Sequence, residues 1–145
     1  MKAFDPSIVD YLKTQRIGVL AVEMLDGSPH AATVHFAYDE NSNQFFFETR
    51  SEYRKAEPIT KRNATRASFV VGVNENDLKT LQLDGDARLI TAEEKILFEK
   101  VYLGKFPNKK EKAADPKFIS FVFEPTWWRF TDWTRPEGKV ILVSD

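Results

Sequence analysis

The sequence consists largely of short β-prone runs, each closed by a polar or glycine-containing turn, and this pattern limits the fold more than any other feature. Asp26-Gly27 is a two-residue hairpin signal, and residues 39–43 form the next polar turn. Gly85 lies inside one run, where it indicates a bulge or a sharp bend. Many short strands joined by tight turns are typical of an antiparallel barrel, which also removes exposed strand edges. Strands are predicted over residues 16–24, 30–38, 44–49, 67–73, 80–90, 118–124, 127–133 and 139–143.

Two or three short helices interrupt the strands. Asp5 can cap a helix that Pro6 begins, because Asp is a preferred N-cap residue and Pro suits the first helical position. Leu97, Phe98 and Val101 recur at helical spacing and indicate one amphipathic face. The fold class is therefore mainly β with short α-helices. Helices are predicted over 6–15 and 92–103, with a third short helix opened by Pro58 and a charged loop over 105–116.

Length and composition exclude several classes of protein. The 145 residues match one domain, so 1–145 is treated as a single unit. A formal net charge of −1 gives no field that attracts nucleic acid or an anionic membrane. With no cysteine and two histidines, neither disulfides, thiolate catalysis nor a metal site is expected. No apolar run approaches the roughly 20 residues that span a bilayer, and the N-terminus does not match a signal peptide, which predicts a soluble cytoplasmic protein.

Residues 50–66 carry the most informative local charge. This segment has six basic and two acidic residues, a net charge of +4 in a chain of net charge −1. It follows a strand that ends at Thr49, so a hydroxyl group, backbone N–H groups and the adjacent cations Arg54 and Lys55 could together hold a phosphate. A solvated basic surface helix explains the same charges. The pattern alone leaves both interpretations open.

Aromatic residues make up 13% of the chain, and Trp127, Trp128 and Trp133 lie close together. Beside a basic site they could form the wall for a planar cofactor, although core and dimer packing use aromatic residues equally well. His35 lies within a predicted strand and could transfer protons or have a purely structural role. The six glycines are scattered, which excludes a Rossmann or P-loop phosphate site.

Taken together, several segments resemble one known family. Residues 17–22 and 26–34 resemble the opening hairpin of the pyridoxamine 5′-phosphate oxidase-like, FMN-binding split β-barrel proteins. Residues 46–49, followed at the same interval by Arg54-Lys55, resemble the flavin-phosphate segment of that family, and 81–88 resembles its later glycine-containing strand. The resemblance implies an antiparallel split barrel and a homodimer with FMN at the dimer interface.

The resemblance also indicates which residues meet the flavin. Thr49, Arg54 and Lys55 match phosphate-binding positions of the family. Glu48 stands where the oxidases have an aromatic residue, so its backbone is expected to serve, and Thr80 stands where they have a flavin-contacting glutamine. The cofactor-binding residues implied in this way are Thr33, Val34, His35, Phe36, Glu48, Thr49, Arg54, Lys55 and Thr80.

Departures from the family pattern limit the expected activity. Ala31 and Phe36 stand where the oxidases carry basic residues at the two ends of the flavin-contacting strand. Arg129 matches an Arg of their substrate-binding stretch, but Thr131 replaces its His and Trp133 replaces a later Arg. True pyridoxamine 5′-phosphate oxidase activity is therefore not expected.

The leading hypothesis is an FMN-binding homodimer with oxidoreductase chemistry on an unidentified small molecule. His35 and Arg129 are the candidate catalytic residues, and no metal, nucleic acid or membrane is expected as a partner. One alternative is a non-catalytic flavin, haem or deazaflavin module on the same barrel. A second is an OB-like binder of single-stranded nucleic acid, since aromatic strands near basic residues suit base stacking; the net charge of −1 argues against it.

Overall fold

A computed structural model describes all 145 residues and contains eight strands and several short helical segments. The strands are β1 Ile17–Glu23, β2 Pro29–His35, β3 Ala37–Asp39, β4 Gln44–Arg50, β5 Thr65–Val71, β6 Lys79–Leu89, β7 Phe118–Asp132 and β8 Val140–Val143. The α-helices are α1 Pro6–Thr14, α2 Ala56–Lys61, α3 Lys95–Phe98 and α4 Lys110–Ala114, with 3₁₀ turns at Glu75–Asp77 and Pro107–Lys109 and a π-helix at Glu99–Leu103. None of these helices combines the length and the apolar character that crossing a lipid bilayer requires.

All strands belong to one antiparallel sheet in the order β2-β1-β5-β6-β7-β4-β3, with β8 added beside β7. The sheet curls so that β2 approaches β4, although the two strands do not pair. Only Phe36 separates β2 from β3, which pairs with β4 on the other side. The barrel is therefore closed at this point and split along the rest of β2. The predicted antiparallel split barrel is confirmed.

Aromatic side chains fill the interior of the barrel. Phe69 lies at its centre, with ring centroids 5.2 Å from Phe36, 5.2 Å from Phe47 and 5.6 Å from Phe45. Because alternate residues of a strand face opposite sides, Phe46 points out of the barrel instead. It packs in a second, smaller cluster beneath the helical segment that follows β6. This cluster also contains Phe98, Tyr102, Leu103, Phe106 and Val122.

Two proline-containing regions differ from the prediction. The helix near Pro58 begins at Ala56, and Pro58 is its third residue, where the missing N–H costs nothing because first-turn N–H groups have no partner within the helix. The two strands predicted on either side of Pro125 form one strand, β7. Pro125 lies opposite Gly85 at a register shift between β6 and β7, so the bulge absorbs the missing hydrogen-bond donor.

Two other predictions also needed correction. The strand predicted over 30–38 is interrupted at Phe36, whose side chain turns into the core and bends the chain between β2 and β3. The charged loop predicted over 105–116 contains helical turns from 107 to 114, because Phe106 and Ala113 pack on the outer cluster and anchor them.

An ion-pair network ties the sheet to the segment that precedes α3. Arg88 Nη1 lies 2.7 Å from a Glu94 carboxylate oxygen, and Arg88 Nε lies 2.9 Å from Glu124. Gln44 Nε2 donates to Glu94 at 2.9 Å. The hydrogen bond from Arg88 is the main cause that lowers the pKa of Glu94 to about 2.

The substitution Arg88→Met is expected to lower the free energy of unfolding by about 2 kcal/mol at pH 7, because it leaves partly buried carboxylates without their cationic partner. Since the folded-state pKa of Glu94 is depressed, this stabilisation is present above the ordinary value of 4.5 and is lost as the pH falls towards 2. Urea unfolding at pH 7 and pH 3 measures both effects. Arg66→Met, which removes an 83% exposed partner of Glu23, should cost less than about 1 kcal/mol; equal losses for the two variants would contradict the prediction.

Candidate functional site

A cleft of about 340 Å³ opens at the seam between β2 and β4, where the barrel is split. Strand β2 pairs only with β1, so the backbone groups along its other side face this opening. The cleft passes from the barrel side of the two strands, where Val34 and Thr49 lie, to their outer side. Six residues predicted from the sequence border it: Thr33, Val34, His35, Glu48, Thr49 and Lys55.

The inner half of the cleft contains a buried hydroxyl group without a hydrogen-bond partner and a cation without an ion-pair partner. The Thr49 side-chain oxygen is buried and makes no hydrogen bond. Lys55 is only 8% exposed, and its ammonium group has no carboxylate partner, although it lies 5.2 Å from the centre of the Tyr53 ring. Burial lowers the pKa of Lys55. A hydroxyl group and an unpaired cation in one cleft form a donor set that suits a phosphate or another oxyanion.

Three other cations of the basic segment have partners within the chain, whereas Arg54 and Lys61 are exposed. Arg50 pairs with Glu52 at 2.5 Å. Arg62 donates to the main-chain oxygens of Met24 and Leu25 at 3.2 and 3.1 Å, which fastens the hairpin between β1 and β2. Arg66 pairs with Glu23. Of the cations in this segment, Arg62 and Arg66 hold the fold, while Lys55 and the paired Arg50 line the cleft.

Titratable side chains occupy the outer half of the cleft. Lys109 Nζ lies 3.0 Å from His35 Nδ1 and donates to the Tyr102 hydroxyl at 3.1 Å. One oxygen of Glu48 is buried and accepts no hydrogen bond. Burial raises the pKa of Glu48 and lowers the pKa of His35, the latter with help from the positive charge of Lys109. Such perturbed groups in a cleft are typical of functional sites.

Lys109 and Lys112 also line this cleft, and the prediction from sequence did not include them. A usable signal was present. Phe98, Tyr102 and Phe106 follow one another at intervals of four, which continues the helical pattern beyond 103 and places Lys109 on the same side three residues later. The lysine-rich composition of 105–116 concealed this continuation.

The remaining predicted site residues lie elsewhere in the single chain. The Phe36 side chain is fully buried in the core, which leaves only its backbone for a ligand. Arg54 is exposed and does not line the cleft. Thr80 borders a separate hollow beside Leu78 and Trp133. Arg129 is exposed on β7, where it pairs with Gln82 of β6.

Arg129 nevertheless shares a face of the sheet with the cleft. Thr33 pairs with Val19, Val19 with Val70, Val70 with Gln82, and Gln82 with Arg129. Residues paired across strands share a face, so this row crosses the outer surface of the sheet. At about 4.8 Å per strand, the path along the curled sheet from Thr33 to Arg129 is about 19 Å. Three strands separate the two residues, and Arg129 does not line the cleft of its own chain.

Comparison with known proteins identifies the family. The sequence model described as pyridoxamine 5′-phosphate oxidase matches residues 4–132, which is most of the chain. This chain belongs to that family. No curated protein matches the sequence.

Solved structures with the same fold share little sequence with the chain. A heme binding protein from Mycobacterium smegmatis matches 91% of this chain with a TM-score of 0.71 and 15% identity, and the chain spans 54% of its length. An FMN binding protein related to pyridoxamine 5′-phosphate oxidase, from Nostoc punctiforme, matches 97% of this chain and 90% of its own (TM-score 0.69, 18% identity). General stress protein 26 from Bacillus anthracis matches 85% and 89%, respectively (TM-score 0.65, 18% identity).

Proposed function

We propose that this protein binds FMN in the cleft between β2 and β4 and is a flavin-dependent oxidoreductase that acts on a small molecule. The observation that carries the proposal is that one cleft brings together the buried, unpartnered hydroxyl group of Thr49 and the ammonium group of Lys55, which has no ion-pair partner. Membership of the family and the FMN binding relative from Nostoc punctiforme support the choice of FMN.

Each half of the cleft has a different part in this proposal. Lys55 pairs with the phosphate and Thr49 donates a hydrogen bond to it, so an unpaired cation and a buried hydroxyl group both find partners on binding. The free edge of β2, from Thr33 to His35, offers backbone donors and acceptors to the flavin ring. FMN supplies the redox chemistry when bound, and the protein orients it.

We further propose that two copies of the chain complete the site. The cleft of about 340 Å³ is at the small end of ligand pockets, so a second copy must cover part of a ligand as large as FMN. Thr80 and Arg129 lie on strands distant from the cleft of their own chain. In a symmetric dimer formed through the outer face of the sheet, Thr80 and Arg129 of the partner subunit would reach the cleft, and Arg129 would face the substrate.

The first test is a titration of the purified protein with FMN, followed by absorbance, flavin fluorescence and sedimentation. We expect one FMN per chain, quenched fluorescence and a dimeric mass. Acid treatment of the protein as isolated should release FMN, identified by chromatography. A colourless protein that leaves the FMN spectrum unchanged over the micromolar range would contradict the proposal.

Thr49→Val is expected to weaken FMN binding about tenfold, because it removes one hydrogen bond to a charged phosphate and preserves the shape of the side chain. Thr60→Val is the matched control: the Thr60 hydroxyl bonds within α2 to the Ala56 carbonyl and lies outside the cleft. Equal affinities for the two variants would place the phosphate elsewhere.

A non-catalytic haem or flavin module is the second candidate function. It is favoured by the similarity to the heme binding protein of Mycobacterium smegmatis and by the position of His35 in the cleft. Haem binding through His35 predicts a Soret band in the wild type that is lost in His35→Ala. Hemin titration of both proteins tests this. Turnover of reduced nicotinamide cofactors across a panel of acceptors distinguishes an enzyme from a carrier.

A further inference from the structure

Glu48 is a half-buried carboxyl group that has no part in flavin binding as proposed above. It lies on β4 opposite Ser120 of β7, and its Oε2 atom accepts no hydrogen bond. An ionised carboxylate in this position has one oxygen without water or a donor, which makes the charged form costly. If only the backbone of residue 48 contacted the flavin, an acidic side chain would not be needed at this position. The Glu48 carboxyl group therefore needs a partner that the free chain does not supply.

Four elements around Glu48 each contribute a charged or titratable side chain. His35 faces it from β2, Tyr102 from the π-helix, Lys109 from the 3₁₀ turn and Lys112 from α4. Both lysines favour the ionised form, yet neither forms an ion pair with Glu48, and Lys109 is engaged by His35 and Tyr102. Burial outweighs the two lysines and raises the pKa of Glu48.

The proposed phosphate site begins at the next residue. The side chains of Glu48 and Thr49 point to opposite sides of β4, but both border the same cleft. A bound phosphate monoester carries about −1.5 to −2 charges at pH 7. A phosphate in this cleft therefore brings a like charge into the partly desolvated surroundings of Glu48, which disfavours ionisation of the carboxyl group. The negative charge that stabilises the ionised form of Lys55 therefore destabilises the ionised form of Glu48.

We propose that Glu48 takes up one proton from solvent when a phosphate-bearing ligand binds beside Thr49 and Lys55. The neutral carboxyl group then has an O–H that can donate to the ligand, and the proton returns to solvent when the ligand leaves. This inference rests on the proposed FMN site. It makes binding of a phosphorylated ligand proton-coupled and tighter at lower pH.

Isothermal titration calorimetry with FMN at pH 7.0 tests the inference. Comparing PIPES with imidazole, which differ in ionisation enthalpy, gives the number of protons taken up. We expect between half and one proton for the wild type and for Glu57→Gln, which removes an exposed carboxylate of α2 outside the cleft. Glu48→Gln, which resembles the neutral carboxyl group, should bind FMN without proton uptake.

The pH dependence of affinity provides the second measurement. Between pH 6.5 and 8.5, wild-type affinity should fall by up to about tenfold per pH unit more steeply than that of Glu48→Gln, because one proton is linked to binding. The variant retains Lys55 and Lys109, so their titration cancels in the comparison.

The outcomes distinguish a failure of the proton-uptake inference from a failure of the proposed flavin binding. FMN binding by the wild type without proton uptake overturns the role of Glu48 and leaves the flavin site intact. Equal uptake by the wild type and Glu48→Gln does the same. A wild type that binds no FMN overturns both proposals. If Glu48→Gln fails to fold, the wild-type calorimetry still decides, because zero uptake excludes proton coupling.

Discussion

Replacing Lys55 by Met is expected to weaken FMN binding about 30- to 100-fold and, at the same time, to make the free protein more stable. The loss of affinity follows from removing a charge-assisted bond to phosphate, which contributes about 2 to 3 kcal/mol. The gain in stability follows because Lys55 is 8% exposed and has no carboxylate partner. A Met side chain fills a similar volume without a buried charge, so the free energy of unfolding should rise by about 1 kcal/mol.

FMN titration and urea unfolding of the ligand-free protein measure these two effects. Lys61→Met is the matched control, since Lys61 is exposed at the end of α2; it should change neither quantity appreciably. Arg54→Met tests the neighbouring position predicted from sequence. Because Arg54 does not line the cleft of its own chain, its loss should weaken binding less than the loss of Lys55.

Opposite signs for binding and stability would identify Lys55 as a functional group. Functional sites often retain groups that the free fold would be more stable without. A variant that lost stability and affinity together would instead show that Lys55 holds the segment between β4 and α2 in place. Unchanged affinity would contradict the proposed phosphate position.

The barrel and half of the cleft were predictable from sequence because the signals are local. The hairpin at Asp26-Gly27, the alternating runs and the short distance from Thr49 to Lys55 all act within a few residues. The antiparallel order of neighbouring strands follows from such turns. Glu48, Thr49 and Lys55 could therefore be grouped before their positions were known.

The rest depends on contacts between distant parts of the chain. Arg62 and Arg66 lie in the same basic segment as Lys55, but both bind groups at or near Glu23, about forty residues earlier. Lys109 reaches His35 across more than seventy residues. The bend at Phe36 also depends on tertiary packing, because its ring fills a space between Phe45 and Phe69. Local patterns do not contain this information.

Gly85 is a position where a single added methyl group should damage the fold severely. A Cβ atom there would lie 2.1 Å from the Glu124 carbonyl oxygen and 2.9 Å from Cα of Pro125. Both neighbours belong to the backbone of β7, which pairs with β6 at this point and with β4 up to the adjacent Phe123. Gly85→Ala is therefore expected to lower the free energy of unfolding by about 4 kcal/mol or to prevent folding.

Gly104→Ala provides the matched comparison for Gly85→Ala. The chemical change is identical, but a Cβ atom at Gly104 meets nothing within 4 Å, and the residue has helical dihedral angles. That variant should be unchanged or more stable by up to about 1 kcal/mol. Unfolding in urea measures both variants under the same conditions.

The Gly85 result also bears on the cleft. The bulge opposite Pro125 bends β6 and β7, the two longest strands, and their curvature helps bring β4 round towards β2. If Gly85→Ala folds with reduced stability, its FMN affinity should fall as well, although no residue at the bulge touches the cleft. Full stability and unchanged affinity would mean that the β7 backbone can retreat at the bulge. The curl of the sheet, and with it the seam, would then depend on the aromatic core rather than on this contact.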